Sequence, residues 1–367
     1  MWIQQVHLTN FRNYPRLGLE LAPGRNYLFG PNGAGKTNLL EAIRVGAHGR
    51  SHRGAQDAEL ARWGTAAFRV RLKAAGSRRS VELEVTWEQG TGKRATLDRA
   101  PLPRLADVLG QVPVVIFSPQ DLDLVQSGPV FRRRYLDLLL CQVRPAYYDQ
   151  WLEYQRVLAQ RNKLLRATGG TPPPKEQEVW DSQLVATGGP LIEDRRRLVA
   201  SLNEVVPGLQ AAVAGGREDL QVEYRPGVLL PPAGDPAEAF HRHLVRARPL
   251  ERRRGTTMAG PHRDELVLRL DGRDARATAS QGQQRTVALA LKLAEVELLR
   301  RQGEEPVLLL DDVFSELDPG RRGALLRLLE RPGQTLVTAA APDGVPPARG
   351  DDRAYQVGGG HINRCQG

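Results

Sequence analysis

Cysteine is almost missing from this 367-residue chain: Cys141 and Cys365 stand far apart, with no metal-ligand spacing around either. That excludes a disulfide scaffold, argues against structural zinc and fits a reducing cytoplasm. Long apolar runs are missing too. No stretch approaches the roughly 18 residues a membrane helix needs, and the first residues lack a signal-peptide pattern. The expectation is therefore a cytoplasmic protein without membrane spans. There is no internal repeat and no sustained heptad array, so an extended coiled coil is not expected. Lysine is scarce, confined to Lys36, Lys73, Lys93, Lys163, Lys175 and Lys292. The net charge of +10 is thus carried almost wholly by arginine. Arginine grips phosphate bidentately and stacks on bases, which points to a polyanionic partner. With 41% hydrophobic residues, the chain can build the cores of two or three packed regions.

What is present centres on Gly30-Pro31-Asn32-Gly33-Ala34-Gly35-Lys36-Thr37. Asn26–Phe29 before it reads as a short apolar strand, and Thr37–Val45 after it opens a helix with apolar residues at helical spacing. Strand, glycine loop, Lys-Thr and helix form the setting of a phosphate-binding loop. Its glycines let backbone N–H groups turn inward, and the helix N-terminus adds a favourable dipole. Lys36 suits the β- and γ-phosphates of a nucleotide, and the Thr37 hydroxyl suits Mg²⁺.

Further strands are expected at 1–8, 17–21, 69–72, 80–87 and 112–117. Residues 129 to about 205 read as helices, with periodic stretches at 133–140, 148–165 and 176–203 broken by Thr171-Pro172-Pro173-Pro174. Proline and glycine clusters near 207–216 and 226–235 read as exposed connections. From Leu266 the strand–helix alternation returns, with an amphipathic helix at 288–300, an apolar strand at 307–310, and closing strands at 335–339 and 355–363. The pattern predicts an α/β nucleotide-binding lobe divided by a mostly helical insertion. The expected segments are 1–118, 119–257 and 258–367.

A phosphate loop needs an acidic partner at the end of a buried strand. Asp311 follows Val307-Leu308-Leu309-Leu310 and suits Mg²⁺; Asp312, next to it, suits polarisation of an attacking water. Ser280-Gln281-Gly282-Gln283-Gln284-Arg285 precedes a helix, so Ser280 fits either an ordinary N-cap or a second anion site. Phe117-Ser118-Pro119-Gln120-Asp121 places Gln120 beyond a core strand, where an amide can sense metal or water. Ser315-Glu316-Leu317-Asp318 follows the acidic pair. His262 has no second metal ligand at suitable spacing, so a structural or interface role is expected.

Phosphate loop, glutamine loop, Ser-x-Gly-Gln signature, doubled acid and Ser-x-Leu-Asp loop stand in the order of ABC-type ATPases. Within that class the chain resembles the SMC/Rad50 branch. The likeness extends through Leu8–Tyr14, Phe117–Leu122, Gly128-Pro129 with Arg132-Arg133-Arg134, and Gly260–Asp264. It implies an ABC-type head, a phosphate-loop α/β lobe with an antiparallel β-subdomain, plus the helical lobe. It also implies ATP and Mg²⁺ as cofactors and a homodimer closed head-to-tail by ATP. In such a dimer Ser280, Gly282 and Gln283 of one subunit meet the nucleotide held by the other, and Arg12 approaches its phosphates. Asp312 and Gln120 would serve slow hydrolysis, a weak DNA-dependent ATPase acting as a switch. The implied partner is DNA with gaps or single-strand/double-strand junctions, together with mediator proteins that load recombinase in repair and the SOS response. Transporter-type ATPases carry a histidine where this chain has Thr338, which leaves the γ-phosphate switch unassigned. The alternative, a nucleotide-binding subunit of a membrane transporter, fits that departure and the helical insertion poorly.

Overall fold

The computed structural model describes residues 1–77, 79–216, 218–229, 235–303, 305–328, 333–342 and 350–365. The chain divides into two compact units, Met1–Leu122 with Gly208–Glu218 and Arg285–Gly367, and Asp123–Pro207 with Asp219–Gln284.

The first unit opens with strands β1 (Trp2–Phe11), β2 (Tyr14–Glu20) and β3 (Arg25–Phe29), then helix α1 (Lys36–His48) and the short α2 (Asp57–Leu60). Strands β4 (Ala67–Ala75), β5 (Ser80–Glu88), β6 (Gly92–Leu97) and β7 (Ala100–Pro101) follow, then β8 (Val114–Phe117). Six strands form an antiparallel sheet in the order β2-β1-β4-β5-β6-β7. Its strands alternate: Val70, Leu72, Leu83 and Val85 are fully buried while their neighbours face outward, as a one-sided sheet requires. In β1 the buried positions are Ile3, Val6, Leu8 and Phe11, out of phase with strict alternation. A register shift between Ile3 and Gln5 accounts for the step from Ile3 to Val6, because an extra residue exchanges the two faces.

The second unit holds α3 (Asp123–Gln126), α4 (Pro129–Val143), α5 (Ala146–Ala167) and most of α6 (Pro174–Ala214). It also holds β9 (Leu220–Arg225), α7 (Pro236–Arg254), β10 (Glu265–Leu270), β11 (Arg273–Asp274) and α8 (Ala275–Thr278). Helix α6 runs through Pro190 and Pro207, so residues 207–214 are helical rather than the expected connection. Leu198, Val199, Leu202, Val206 and Val213 are buried at helical spacing, and that packing overrides the lost N–H and poor propensity of proline. Of the second expected connection, residues 230–234 lie outside the described residues. The arginine run after Gly128-Pro129 serves packing here. Arg132 holds Glu265 through two hydrogen bonds (2.8 and 3.0 Å), and Arg133 donates to the Asp264 carbonyl (2.7 Å). Buried Arg195 binds Asp137, Asp264 and the Pro261 carbonyl, and buried Arg161 binds Asp181 and Glu251. His262 is half-buried, hydrogen-bonded to the Tyr154 hydroxyl (2.6 Å) and Thr257 carbonyl (3.1 Å), with burial holding its pKa near 4.

The chain returns to the first unit within α9 (Gln281–Arg300) and continues with β12 (Val307–Asp311), α10 (Pro319–Leu328), β13 (Thr335–Ala339), β14 (Arg353–Gly358) and β15 (His361–Arg364). These build a second sheet, β15-β14-β3-β13-β12-β8, parallel from β14 to β8. Asp311 pairs with Thr338 and Thr338 with Leu28, so β12, β13 and β3 end level with one another. Everything at the carboxyl edge of this sheet follows from that alignment.

Candidate nucleotide-binding site

The phosphate loop leaves β3 at Gly30 and enters α1 at Lys36. Gly35 sits at φ 113°, and a Cβ there would fall 2.9 Å from the Tyr14 hydroxyl and closer still to the Asn13 amide. Only glycine fits. The wall that forces this choice also holds the loop: Tyr14 donates to the Gly35 carbonyl (2.9 Å), and Asn13 donates to the Ala34 carbonyl (3.1 Å) and accepts from Asn38 (2.8 Å). Pro31, Asn32 and Gly33 are exposed at the loop crest, whereas Ala34 and Gly35 are buried.

Lys36 is buried, its ammonium donating to the carbonyls of Gly30 (2.6 Å) and Pro31 (3.1 Å). Burial lowers its pKa against the opposing pull of Asp312 and Asp311. The Thr37 hydroxyl donates to the Asp311 carboxylate at 2.8 Å. Thus the two residues expected at the metal, 274 positions apart, are in direct contact. A hydroxyl and a carboxylate are the hard oxygen donors that Mg²⁺ takes beside phosphate and water, so the residues present fit that ion.

Asp311 is also bound by the Thr338 hydroxyl (3.0 Å). Burial raises its pKa, Asp312 adds to the rise, and the hydrogen bonds from Thr37 and Thr338 oppose it. Asp312 is half-buried and left-handed (φ 55°), which turns it away from the strand direction. Its N–H donates to the same Thr338 hydroxyl (2.9 Å). One threonine therefore fixes both acids, a role the sequence did not disclose; the only signal was a threonine where a histidine was sought.

Arg12, at φ 51°, forks onto Glu41 (2.8 and 3.0 Å) and reaches the Glu59 carbonyl (2.8 Å). Burial would raise the pKa of Glu41, yet hydrogen bonds from Arg12 and Ser51 outweigh it and the pKa is lowered. The arginine so lies between the loop segment at Asn13 and helix α1, its fork occupied by this ion pair.

Gln120 is exposed on a single 3-10 turn (Pro119–Leu122). Its neighbour Asp121 lines a cleft with Ser118, Arg285, Lys292, Asp311 and Leu317. Burial pushes the Asp121 carboxyl up to about 6 against the pull of Lys292. Lys292 is ion-paired with Glu295. No local pattern in the sequence marks Asp121 or Lys292 as lining a cleft; Lys292 stands out only as one of the few lysines.

In the second unit, Ser280 caps α9. Its hydroxyl accepts from the Gln283 N–H (3.3 Å) while the Gln283 side chain accepts from the Ser280 N–H (2.9 Å), a reciprocal capping box. Ser280 is exposed, and Gly282 and Gln283 are half-buried on the first turn. The described residues contain no group of three His, Cys, Asp or Glu placed to hold a metal ion.

Residues 2–358 match the RecF/RecN/SMC N terminal domain family. The DNA replication and repair protein RecF of Frankia alni is 44% identical, over the whole of both chains. This chain belongs to the RecF family. The fold agrees: a solved structure described as the recombination mediator protein RecF-ATP in the RecFOR pathway superposes with a TM-score of 0.92 at 30% identity, covering 100% of this chain and 98% of that one. An Smc head bound to the C-winged helix domain of ScpA superposes with a TM-score of 0.58 at 13% identity, covering 100% of this chain and 97% of that one, a likeness of fold alone. RecF membership replaces the transporter alternative, and no helix among the described residues is long and apolar enough to cross a membrane.

Proposed function

We propose that this RecF-family chain is an ATP-gated DNA clamp of replication and repair, closing as a homodimer on gapped DNA and single-strand/double-strand junctions. There it helps RecO and RecR load recombinase, in recombinational repair and the SOS response, in the cytoplasm. The observation that carries the reading is the Thr37–Asp311 contact beside the Lys36 loop. It sets a hydroxyl and a carboxylate beside a cation and the loop amides at one sheet edge. Gly30–Thr37 cradle the phosphates, and Arg12 approaches them once its guanidinium leaves Glu41. When bound, Mg²⁺ supplies charge neutralisation between Thr37, Asp311 and the phosphates. Asp312 polarises water and Gln120 senses it. Ser280, Gly282 and Gln283 close on the partner subunit's nucleotide, where the helix N-terminus favours negative charge. Hydrolysis is slow and DNA-dependent, and it reopens the clamp. Lys36 and Ser280 belong to different units of one chain, in keeping with a signature that acts in trans.

Binding of a fluorescent ATP analogue, titrated with Mg²⁺ and with EDTA, tests the site. Lys36→Ala is expected to weaken binding at least tenfold. Asp311→Asn should abolish the gain from Mg²⁺ while sparing metal-free binding. An Asp311→Asn protein that keeps the full Mg²⁺ dependence would remove Asp311 from the metal site.

A further inference from the structure

The outer face of the antiparallel sheet carries a feature the nucleotide site does not use. Cross-strand register places Arg16 opposite Thr9, Thr9 opposite Arg69, Arg69 opposite Thr86 and Thr86 opposite Arg94. The line Arg16-Thr9-Arg69-Thr86-Arg94 so crosses five adjacent strands, β2, β1, β4, β5 and β6. All five positions alternate with buried core residues such as Leu8, Leu17, Val70, Val85 and Ala95, so they share the solvent face. The three arginines are exposed, and among the described residues Arg16 and Arg94 make no ion pair. The carboxylates of this face stand outside the row. Glu84 is taken by Arg71 (2.7 Å) and lies 3.6 Å from Arg69; Glu82 is 3.8 Å from Arg99; Glu20 and Glu88 occupy other rows. Lys73 adds to the positive side.

The next feature along is Trp63, 98% exposed. It sits on a turn anchored to the end of the sheet nearest the arginine row. The Arg62 N–H donates to the Asn10 carbonyl (2.8 Å), the Gln89 N–H to the Ala66 carbonyl (2.8 Å), and the Thr65 N–H closes the turn on Arg62 (3.0 Å). A large indole held in water on an anchored turn, beside the exposed Arg62, gains nothing from the fold. It suits a flat apolar partner, and a nucleobase is one.

We propose that this sheet face is the DNA-contact surface: the arginine row takes phosphates of the duplex arm, and Trp63 stacks on a base of the adjoining single strand. Successive arginines stand two strands apart, about 10 Å, comparable to a major groove about 12 Å wide. They therefore reach phosphates on either side of a groove, and the threonine hydroxyls between them donate to phosphate oxygens. Nothing in the row reads base edges, so recognition is of backbone and junction. The inference rests on the DNA-clamp reading and specifies its surface.

The test uses the full chain and a labelled duplex bearing a single-stranded gap, with binding followed by anisotropy across a salt series in ATP. Arg16→Gln/Arg69→Gln/Arg94→Gln should weaken binding more than tenfold. It should also flatten the log–log salt slope by up to about 3 per protomer, at roughly 0.9 per phosphate. Arg156→Gln/Arg196→Gln/Arg225→Gln, exposed arginines of the second unit that are ion-paired with Glu153, Glu193 and Glu223, should leave the slope unchanged. Retained binding of the ATP analogue certifies the fold of each variant. With 2-aminopurine in the gap beside the junction, Trp63→Ala should lose the fluorescence change that Trp63→Phe keeps. Gap binding by the unaltered chain with an unchanged slope in the triple variant overturns the surface and leaves the clamp standing. No gap binding by the unaltered chain in any nucleotide state overturns both.

Discussion

At the scale of single residues, the candidate site is an exercise in placing two adjacent acids so that they do different things. Asp311 keeps its strand direction and faces Thr37, whereas left-handed Asp312 turns aside. Thr338 is the hinge pin of that division, because one hydroxyl donates to Asp311 and accepts the Asp312 N–H. Thr338→Val preserves shape and removes the hydroxyl. It is expected to cost about 1–3 kcal/mol through the amide and carboxylate left without it, and to blunt the Mg²⁺ dependence of ATP binding. Thr338→Ser should restore both. Denaturant unfolding and Mg²⁺ titration of the two variants check this, and a valine variant with unaltered Mg²⁺ dependence would leave Thr338 a packing residue only.

At the scale of elements, what was legible in the sequence depended on whether a local pattern was sufficient. The apolar run Val307–Leu310 and the loop Gly30–Thr37 were read at their places because a doubly buried strand and a phosphate loop each write their own pattern. Helix α7 is not legible in the sequence: its polar, arginine-rich face and internal Pro249 mask the periodicity, and its N-cap Asp235 follows a proline cluster. Residues 207–214 depart from the sequence expectation for the opposite reason, since proline and glycine there signal a connection while tertiary packing keeps α6 helical. Contacts such as Thr338–Asp311 and Arg132–Glu265 depend on register between distant segments, which no local pattern encodes. Helix α9 is the informative middle case: Ser280 was legible as a cap and equally as an anion contact. In the structure the cap is formed, yet Ser280 remains exposed. Ser280→Ala is expected to lower stability by about 1 kcal/mol, the ordinary cost of a lost cap. Unfolding of the variant measures this, and a loss near zero would show that the capping box does not hold the helix start.

At the scale of the whole molecule, the proposed clamp pairs the phosphate loop of one subunit with the signature of another. If the site is completed in trans, as proposed, ATP is the agent of association, because contacts to the γ-phosphate would exist only in the closed pair and shift the equilibrium toward it. In the proposed clamp the arginine-dominated charge would act at long range, drawing DNA to the open form in a salt-dependent way. The most direct test of this central claim is sedimentation of the full chain with ATP, with ADP and without nucleotide, beside Lys36→Arg and Ser280→Arg. The account predicts a dimer with ATP alone, lost in both variants, with Ser280→Arg still binding ATP as a monomer. A dimer that forms without ATP, or that survives Ser280→Arg unchanged, would contradict it.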